Sequence, residues 1–180
     1  MIELYYTKNE RVYDKLKELL SRHITGAIDI LRTPLGKPYL EGNPLYFSIS
    51  HCRDRAVIAL CDKPVGVDIQ FIENGAFEKY AAILSRLCER ERKDIGTSSA
   101  RFFRNWTLRE AFVKMNGGSV FAEFKNLEIL GDDIYNNGEK TACGAYVFED
   151  GGFAVAVCAD GYDGGLVKSC QIQKYGISAR

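Results

Sequence analysis

The sequence has little that would mark it as a nucleic-acid-binding or membrane protein. Its 24 lysine and arginine residues are balanced by 24 aspartate and glutamate residues, and the absence of a polybasic run argues against a general nucleic-acid binder. No apolar run reaches the roughly 20 residues that span a bilayer. The N-terminus has neither the basic region nor the apolar stretch of a signal peptide. We therefore expect a soluble, cytoplasmic protein that binds neither nucleic acid nor membrane.

Several common catalytic and metal-binding motifs are also missing. None of the six cysteines forms a C-x-x-C pair, which argues against zinc, and a chain long enough for its own core favours free thiols over a disulfide framework. The sequence contains no P-loop, no glycine-rich dinucleotide fingerprint and no G-x-S-x-G motif. Because the only histidines are His23 and His51, a serine-hydrolase triad has little support.

What the chain does contain is a series of short strand-like and helix-like segments. Strands are predicted at 1–6, 45–50, 56–61, 65–72, 127–130, 144–148 and 153–159, with an edge strand at 166–177. Short links between the strands at 45–72 predict an antiparallel meander. A helix is predicted after a cap at Asn9, with Val12, Leu16, Leu19 and Leu20 on one apolar face. Further helices are predicted over 77–92 and from Ser98 or Ser99 to about Met115, where Gly117 and Gly118 end the helix.

This order of elements indicates an α+β fold. Both halves of the chain contain strands and helical segments, which suggests a duplication, although no residue-level repeat is visible. No linker separates the halves, so we treat 1–180 as one unit with approximate lobes at 1–75 and 76–180.

Asp68 is the first candidate for chemistry. Period-two alternation in the strand at 65–72 places Gly66, Asp68 and Gln70 on one face. A carboxylate among β-branched residues is either partnered or functional, and hard oxygen ligands suit Mg²⁺. The plainer interpretation is a solvent-facing residue or a structural salt bridge.

Glu110 and Lys114 stand four residues apart on the helix that ends near Met115. This spacing is also that of an ordinary surface salt bridge. The same helix carries many aromatic residues, namely Phe102, Phe103, Trp106 and Phe112. Most of its circumference should therefore be buried, so we expect its charged stripe to line a cleft.

Two further segments carry polar candidates. Ser50 and His51 end a predicted strand and suit a phosphate or a base, although a structural histidine is an equal alternative. Lys37 lies in a loop rich in proline and glycine, where most lysines are simply solvated.

Taken in order, these residues resemble the 4′-phosphopantetheinyl transferases. Four blocks carry the resemblance, which spans roughly residues 30 to 160: Gly36-Lys37-Pro38, Phe47-Ser48-Ile49-Ser50-His51, Val65-Gly66-Val67-Asp68-Ile69 and Trp106-Thr107-Leu108-Arg109-Glu110-Ala111-Phe112-Val113-Lys114. The Sfp-like type, a monomer with two similar lobes related by a pseudo-two-fold axis, is the more similar one. The resemblance implies Mg²⁺-dependent transfer of the phosphopantetheine arm of coenzyme A to a serine of an apo acyl or peptidyl carrier protein, releasing adenosine 3′,5′-bisphosphate.

The resemblance also implies a role for each candidate residue. Lys37, Ser50 and His51 match positions that hold the phosphoadenosine part of coenzyme A. Asp68 and Glu110 match Mg²⁺ ligands that also clasp the pyrophosphate. Lys114 matches a lysine that contacts the pyrophosphate and is proposed as general acid. The carrier protein is expected to meet the segment from 117 to 125.

Three positions depart from the family pattern. Gln70 stands where a third acidic metal ligand is frequent, so it offers a carbonyl oxygen without charge. Arg109 replaces a frequent lysine, and Cys52 replaces a common serine. The change at Gln70 leaves open a binder of coenzyme A that keeps the fold without turnover, and the carboxylate pair leaves open an unrelated Mg²⁺-dependent phosphoesterase.

Overall fold

The computed structural model describes residues 2–42, 44–75, 77–162 and 170–174. Its strands are β1 (Ile2–Lys8), β2 (Ile30–Arg32), β3 (Pro38–Leu40), β4 (Tyr46–Cys52), β5 (Arg55–Cys61), β6 (Val65–Phe71), β7 (Leu127–Leu130), β8 (Asp133–Asn136), β9 (Glu139–Lys140), β10 (Gly144–Asp150), β11 (Phe153–Ala159) and β12 (Cys170–Lys174). Its α-helices are α1 (Val12–Leu20), α2 (Ala81–Leu84), α3 (Glu89–Ile95), α4 (Ser99–Asn116) and α5 (Val120–Glu123). The expected mixture of helices and small sheets is present. In the part of the chain so described, no helix has both the length and the apolar character needed to cross a membrane.

One sheet gathers strands from both ends of the chain. Its order is β12-β1-β5-β4, in which β5 pairs antiparallel with β1 and β4, and β12 runs parallel to β1. The predicted edge strand at 166–177 is observed over Cys170–Lys174, and its remaining residues lie outside the described ranges. Helix α1 covers one face of this sheet through Val12, Leu16, Leu19 and Leu20, the apolar face that the sequence predicts.

The predicted three-strand meander is wrong in its third strand. Strand β5 uses one edge for β1 and the other for β4, so it has no edge left for β6. Strand β6 instead pairs antiparallel with β11, in a second sheet of order β10-β11-β6. Apolar side chains of β1 and β5 pack against those of β6 and β11 between the two sheets.

Strand β6 also adjoins β4, through side chains rather than a backbone ladder. Ser48 Oγ accepts a hydrogen bond of 3.1 Å from the Val67 N–H, and Cys52 Sγ accepts one of 3.3 Å from the Phe71 N–H. Alternate residues of β4 therefore satisfy the backbone donors of β6 that a neighbouring strand would otherwise pair. We call this junction the β4–β6 seam.

Helix α4 lies against the second sheet and begins and ends as predicted. The Ser98 side chain accepts from the Arg101 N–H at its start, and Gly117 takes a left-handed conformation at its end. Its buried side chains share one core with β11. At Gly66 the packing is so close that an added Cβ would lie 1.9 Å from the Ala111 carbonyl oxygen and 2.4 Å from the Met115 nitrogen.

Two helix predictions are wrong in detail. The segment 77–92 is not one helix, because Cys88 is extended (φ −68°, ψ 166°) and begins α3 with a capping box shared with Glu91. The apolar periodicity continues across this break, so it does not mark the interruption. Asn9 begins a short 3₁₀ turn and not α1, since its side chain donates to the Arg53 carbonyl across the sheet.

The cysteines are free thiols in the described side chains: Cys52, Cys61, Cys88, Cys143 and Cys158. Cys61 and Cys158 are buried, as their apolar neighbours in the sequence predict. The division into lobes near residue 75 and the two-fold relation between them stay predictions.

We predict that Gly66→Ala lowers the free energy of unfolding by about 3 kcal/mol or more, because the new methyl group meets helix backbone that cannot rotate away. Thermal and denaturant unfolding measure the loss. Gly118→Ala is the matched control: its Cβ would lie 1.6 Å from Oε1 of Glu123, the end of a side chain that can move. The close contact between α4 and β6 would be contradicted if both variants lost equally little stability.

Candidate functional site

Asp68 lies on β6 with its side chain turned toward α4 and β4. It is only 2% exposed. Its Oδ1 accepts hydrogen bonds of 2.6 Å from Ser50 Oγ and 2.6 Å from Lys114 Nζ, and its Oδ2 accepts one of 3.0 Å from Gln70 Nε2. The alternation along β6 therefore places Gly66, Asp68 and Gln70 as predicted, and Asp68 is a buried, partnered carboxylate.

Glu110 lies one helical turn before Lys114 and is half-buried. Burial raises its pKa to about 7, the negative charge of Asp68 adds to this rise, and Lys114 partly opposes it. The charge of Asp68 therefore acts on Glu110, and Lys114 interacts with both carboxylates. In the described residues, the ion pair of Lys114 is with Asp68 at 2.6 Å and not with Glu110, so the plain surface-pair interpretation is wrong.

All seven candidate side chains line one cleft of about 590 Å³: Lys37, Ser50, His51, Asp68, Gln70, Glu110 and Lys114. The cleft lies at the β4–β6 seam, with α4 forming a wall and the loop before β3 forming its rim. His51 is exposed at the end of β4. The structure therefore brings together candidate side chains that are up to 77 positions apart, since Lys37 and Lys114 line the same cleft.

Lys37 is held against the end of α4. Its Nζ donates to the Met115 carbonyl at 2.7 Å, where the helix dipole and the unpaired carbonyls favour a cation. Burial lowers the pKa of Lys37 to about 8. Thr33 shapes the loop, because its Oγ1 accepts from the Lys37 N–H at 3.1 Å. Lys37 is therefore a positioned cation and not a solvated loop lysine.

Sequence reasoning missed two residues of the rim. Arg32 donates to the Tyr13 hydroxyl and to the Gly36 carbonyl, both at 3.0 Å, and both Arg32 and Tyr13 line the cleft. Neither belongs to a motif, and their meeting depends on the approach of α1 to β2. The only signal in the sequence was the position of Arg32 immediately before the loop of proline and glycine residues that carries Lys37.

The donor set of this cleft fits a magnesium ion. The described residues include no cluster of three or more histidine, cysteine, aspartate or glutamate side chains arranged for a metal. Mg²⁺ does not need one, since it commonly binds one or two carboxylates and takes its other oxygens from water and phosphates. Asp68 and Glu110 supply two such carboxylates, and Gln70 adds an amide. Burial is the main cause of the raised pKa of Glu110, and a cation would offset the further contribution from the charge of Asp68.

Arg109 does not enter the cleft, although the sequence placed it beside Glu110 in the motif. It is fully buried and forms an ion pair with Glu91 of α3, and it donates to the Leu127 carbonyl at 2.7 Å. Glu91 also accepts from the Ile129 N–H at 2.9 Å and from Asn105 Nδ2 at 3.3 Å. This network fixes α4 against α3 and β7. No sequence signal separated Glu91 from its charged neighbours.

We predict that Arg109→Met costs about 3–5 kcal/mol of unfolding free energy, because it leaves the buried Glu91 carboxylate without its cation. The double variant Glu91→Gln/Arg109→Met should lose less than the two single variants together. A double-mutant cycle by denaturant unfolding measures this coupling. Additive losses would show that the pair does not act as a unit.

We predict that Glu110→Gln stabilises the protein above pH 7 in the presence of a chelator. The pKa of Glu110 is higher in the folded chain, about 7, than its ordinary 4.5. The folded state therefore binds more protons between these values, and stability falls as pH rises from about 4.5 to 7. Above pH 7, ionising Glu110 lowers the free energy of unfolding by at most about 3 kcal/mol. The variant has no carboxyl group at this position and does not lose this stability.

Melting temperatures of both proteins from pH 5 to pH 8 test this. The difference should be largest at pH 8 and smallest at pH 5, and Mg²⁺ at pH 8 should raise the wild-type value more than that of the variant. A difference independent of pH would contradict the assignment.

Comparison with known proteins relates the chain to one family. The sequence profile described as the 4′-phosphopantetheinyl transferase superfamily matches residues 64–158, the segment that contains Asp68, Glu110 and Lys114. The 4′-phosphopantetheinyl transferase AcpT of Salmonella typhi is 33% identical over 114 residues, which cover 57% of this chain and 57% of the relative. The transferase psf-1 of Bacillus pumilus is 33% identical over 95 residues, covering 47% of this chain and 38% of the relative. The human L-aminoadipate-semialdehyde dehydrogenase-phosphopantetheinyl transferase is 35% identical over 118 residues, covering 56% and 38%.

The chain thus spans little more than half the length of the Salmonella relative and less of the other two. The profile covers more than half of the 180 residues and includes both carboxylates and the lysine of the cleft. The chain belongs to the 4′-phosphopantetheinyl transferase superfamily.

Proposed function

We propose that this protein transfers the 4′-phosphopantetheine arm of coenzyme A to a serine of an apo acyl or peptidyl carrier protein, with Mg²⁺, and releases adenosine 3′,5′-bisphosphate. The observation that carries the proposal is the convergence of Asp68, Glu110 and Lys114 on one cleft in a member of this superfamily. An enzyme that breaks a pyrophosphate bond needs positive charge at the phosphates and a proton acceptor for the attacking hydroxyl. The cleft offers both.

Asp68 and Glu110 would hold the metal ion, and Gln70 lies beside Asp68 as a third oxygen ligand or as the anchor of a metal-bound water. When bound, Mg²⁺ supplies charge neutralisation at the two phosphates. Asp68 is already fixed by Ser50, Gln70 and Lys114, so its carboxylate needs little reordering to act as a ligand.

The chain's own groups account for the proton balance. The serine oxygen of the carrier forms a bond to the phosphorus next to the pantetheine, and the bond from that phosphorus to the bridging oxygen breaks. Glu110, or a water that it holds, takes the serine proton. The Lys114 ammonium stabilises the leaving phosphate and can donate a proton to it.

Basic groups of the rim fit the phosphoadenosine part of coenzyme A. Lys37 and His51 line the cleft together with Arg32. A partly buried ammonium at a helix end and an exposed imidazole and guanidinium together suit phosphate groups. The family pattern implies Lys37, Ser50 and His51 at this end of the substrate. We assign Lys37 and His51 to it and add Arg32 as a neighbour of the same rim, whereas the Ser50 hydroxyl bonds to Asp68 and Lys114.

We further propose the Sfp-like organisation: one monomer with two similar lobes divided near residue 75. Each of the two larger sheets takes most of its strands from one side of this division, while β6 and β12 cross it. The free thiols support a reducing, cytoplasmic setting.

We propose the segment 117–125 as the carrier-docking surface, since Gly117 and Gly118 line the cleft and Lys125 is exposed.

The decisive experiment is a mass shift. The protein is incubated with Mg²⁺, coenzyme A and a panel of apo carrier proteins, and intact masses are recorded for the wild type and for Glu110→Gln. We expect a phosphopantetheine-sized gain on a carrier, with the initial rate about 10²–10³-fold lower in the variant because it removes both a metal ligand and the proton acceptor. Lys93→Gln, an exposed lysine paired with Glu89 on α3, is the control and should retain the wild-type rate.

Two other outcomes would assign the cleft differently. Binding of coenzyme A by calorimetry without any gain in carrier mass would indicate a non-catalytic binder and would make Gln70→Glu the next variant to test. Breakdown of coenzyme A without a modified carrier would indicate a phosphoesterase.

A further inference from the structure

We infer that Ser50 is a positioning residue for Lys114, and that its hydroxyl holds the lysine across the cleft against β6. Ser50 Oγ lies 2.6 Å from Asp68 Oδ1 and 2.9 Å from Lys114 Nζ, and Lys114 Nζ lies 2.6 Å from the same Oδ1. The three groups form a closed triangle that joins β4, β6 and α4. Ser50 is 6% exposed, so water competes little for these bonds.

The direction of each hydrogen bond in this triangle is fixed by chemistry. An ammonium group can only donate, and an ionised carboxylate can only accept. The Ser50 hydroxyl must therefore accept from Lys114 and donate its single proton to Asp68. Because the Ser50 hydroxyl already donates its proton to Asp68, it cannot donate to a phosphate oxygen as long as these three hydrogen bonds are present.

The consequence concerns Glu110. On an isolated helix, Glu110 and Lys114 at a spacing of four residues would attract each other. Here Ser50 and Asp68 provide two acceptors for Lys114 on the opposite side of the cleft. The ammonium is drawn away from Glu110, and the Glu110 carboxylate is left available to the cleft. Ser50 thus separates the lysine from the carboxylate that the proposed reaction uses as proton acceptor.

The kinetic consequence of this inference rests on the proposed function, whereas its structural consequence can be tested on the free protein. Ser50→Ala should lower kcat for carrier modification about 10- to 100-fold, the range expected when a catalytic group is displaced by about an ångström. The KM for coenzyme A should change less than about threefold. A Ser50 that acted only as a phosphate ligand would show the reverse: a rise in KM of about tenfold or more with kcat retained.

The second readout does not depend on activity. In protein labelled with ¹⁵N-lysine, a side-chain ammonium held by two acceptors exchanges its protons more slowly than a solvated one. We expect a resolved ammonium signal from Lys114 in the metal-free wild type at pH 6, assigned by its loss in Lys114→Gln. This signal should disappear or shift in Ser50→Ala and return in Ser50→Thr, which keeps the hydroxyl and suits a strand.

Ser48→Ala is the matched control, since Ser48 lies two residues earlier on the same side of β4 but bonds to the Val67 N–H. It should lower the melting temperature and keep the Lys114 signal. An unchanged signal in Ser50→Ala, or a rise in KM with unchanged kcat, overturns the positioning role and leaves the transferase proposal intact. Absence of transfer by the wild type would instead overturn the proposed function, while the signal would still decide the role of Ser50.

Discussion

The approach of α4 to β6 at Gly66 is the constraint on which the site depends. A Cβ at this position would overlap the backbone of α4 at Ala111 and Met115, so only glycine lets the helix lie this close to the strand. Asp68 is two residues further along the same face of β6, and Lys114 lies on the same stretch of α4. The distance of 2.6 Å between their charged groups follows from that packing. A wider separation would leave Asp68 buried without a cation, which is costly.

The β4–β6 seam is the second part of the arrangement. Two neighbouring strands hydrogen-bonded in one sheet would pair each other's backbone groups and leave no room for a polar cleft. Here alternate residues of β4, namely Ser48, Ser50 and Cys52, meet β6 through side chains. The outer two satisfy backbone N–H groups, while the middle one reaches a side chain, Asp68. Side chains alternate between the two faces of a strand, so Ser48, Ser50 and Cys52 lie on the same face of β4. Ser48 and Cys52 have structural roles there, and Ser50 belongs to the site.

The sequence predicted the parts of this protein that local patterns control. The bounds of α4, the apolar face of α1 and the shared face of Gly66, Asp68 and Gln70 follow from caps and periodicity. The pairing of β6 with β11 could not be predicted, because it depends on which strands occupy both edges of β5. The interruption at Cys88 was hidden by apolar residues that keep helical spacing on both sides. The burial of Arg109 depends on Glu91, a residue of another helix that no motif connects to it.

The charge balance of the cleft explains why two carboxylates so near each other have different properties. Asp68 is stabilised by one cation and two neutral donors, Ser50 and Gln70. Burial is the main reason that the pKa of Glu110 rises to about 7; the negative charge of Asp68 adds to the rise, and Lys114 offsets it only in part. The uncompensated charge of the site therefore falls on Glu110, and a proton or a metal ion near it relieves the same repulsion. Under the proposed function, Mg²⁺ and a proton would compete for this carboxylate, so the position of Lys114 would affect both metal binding and proton acceptance.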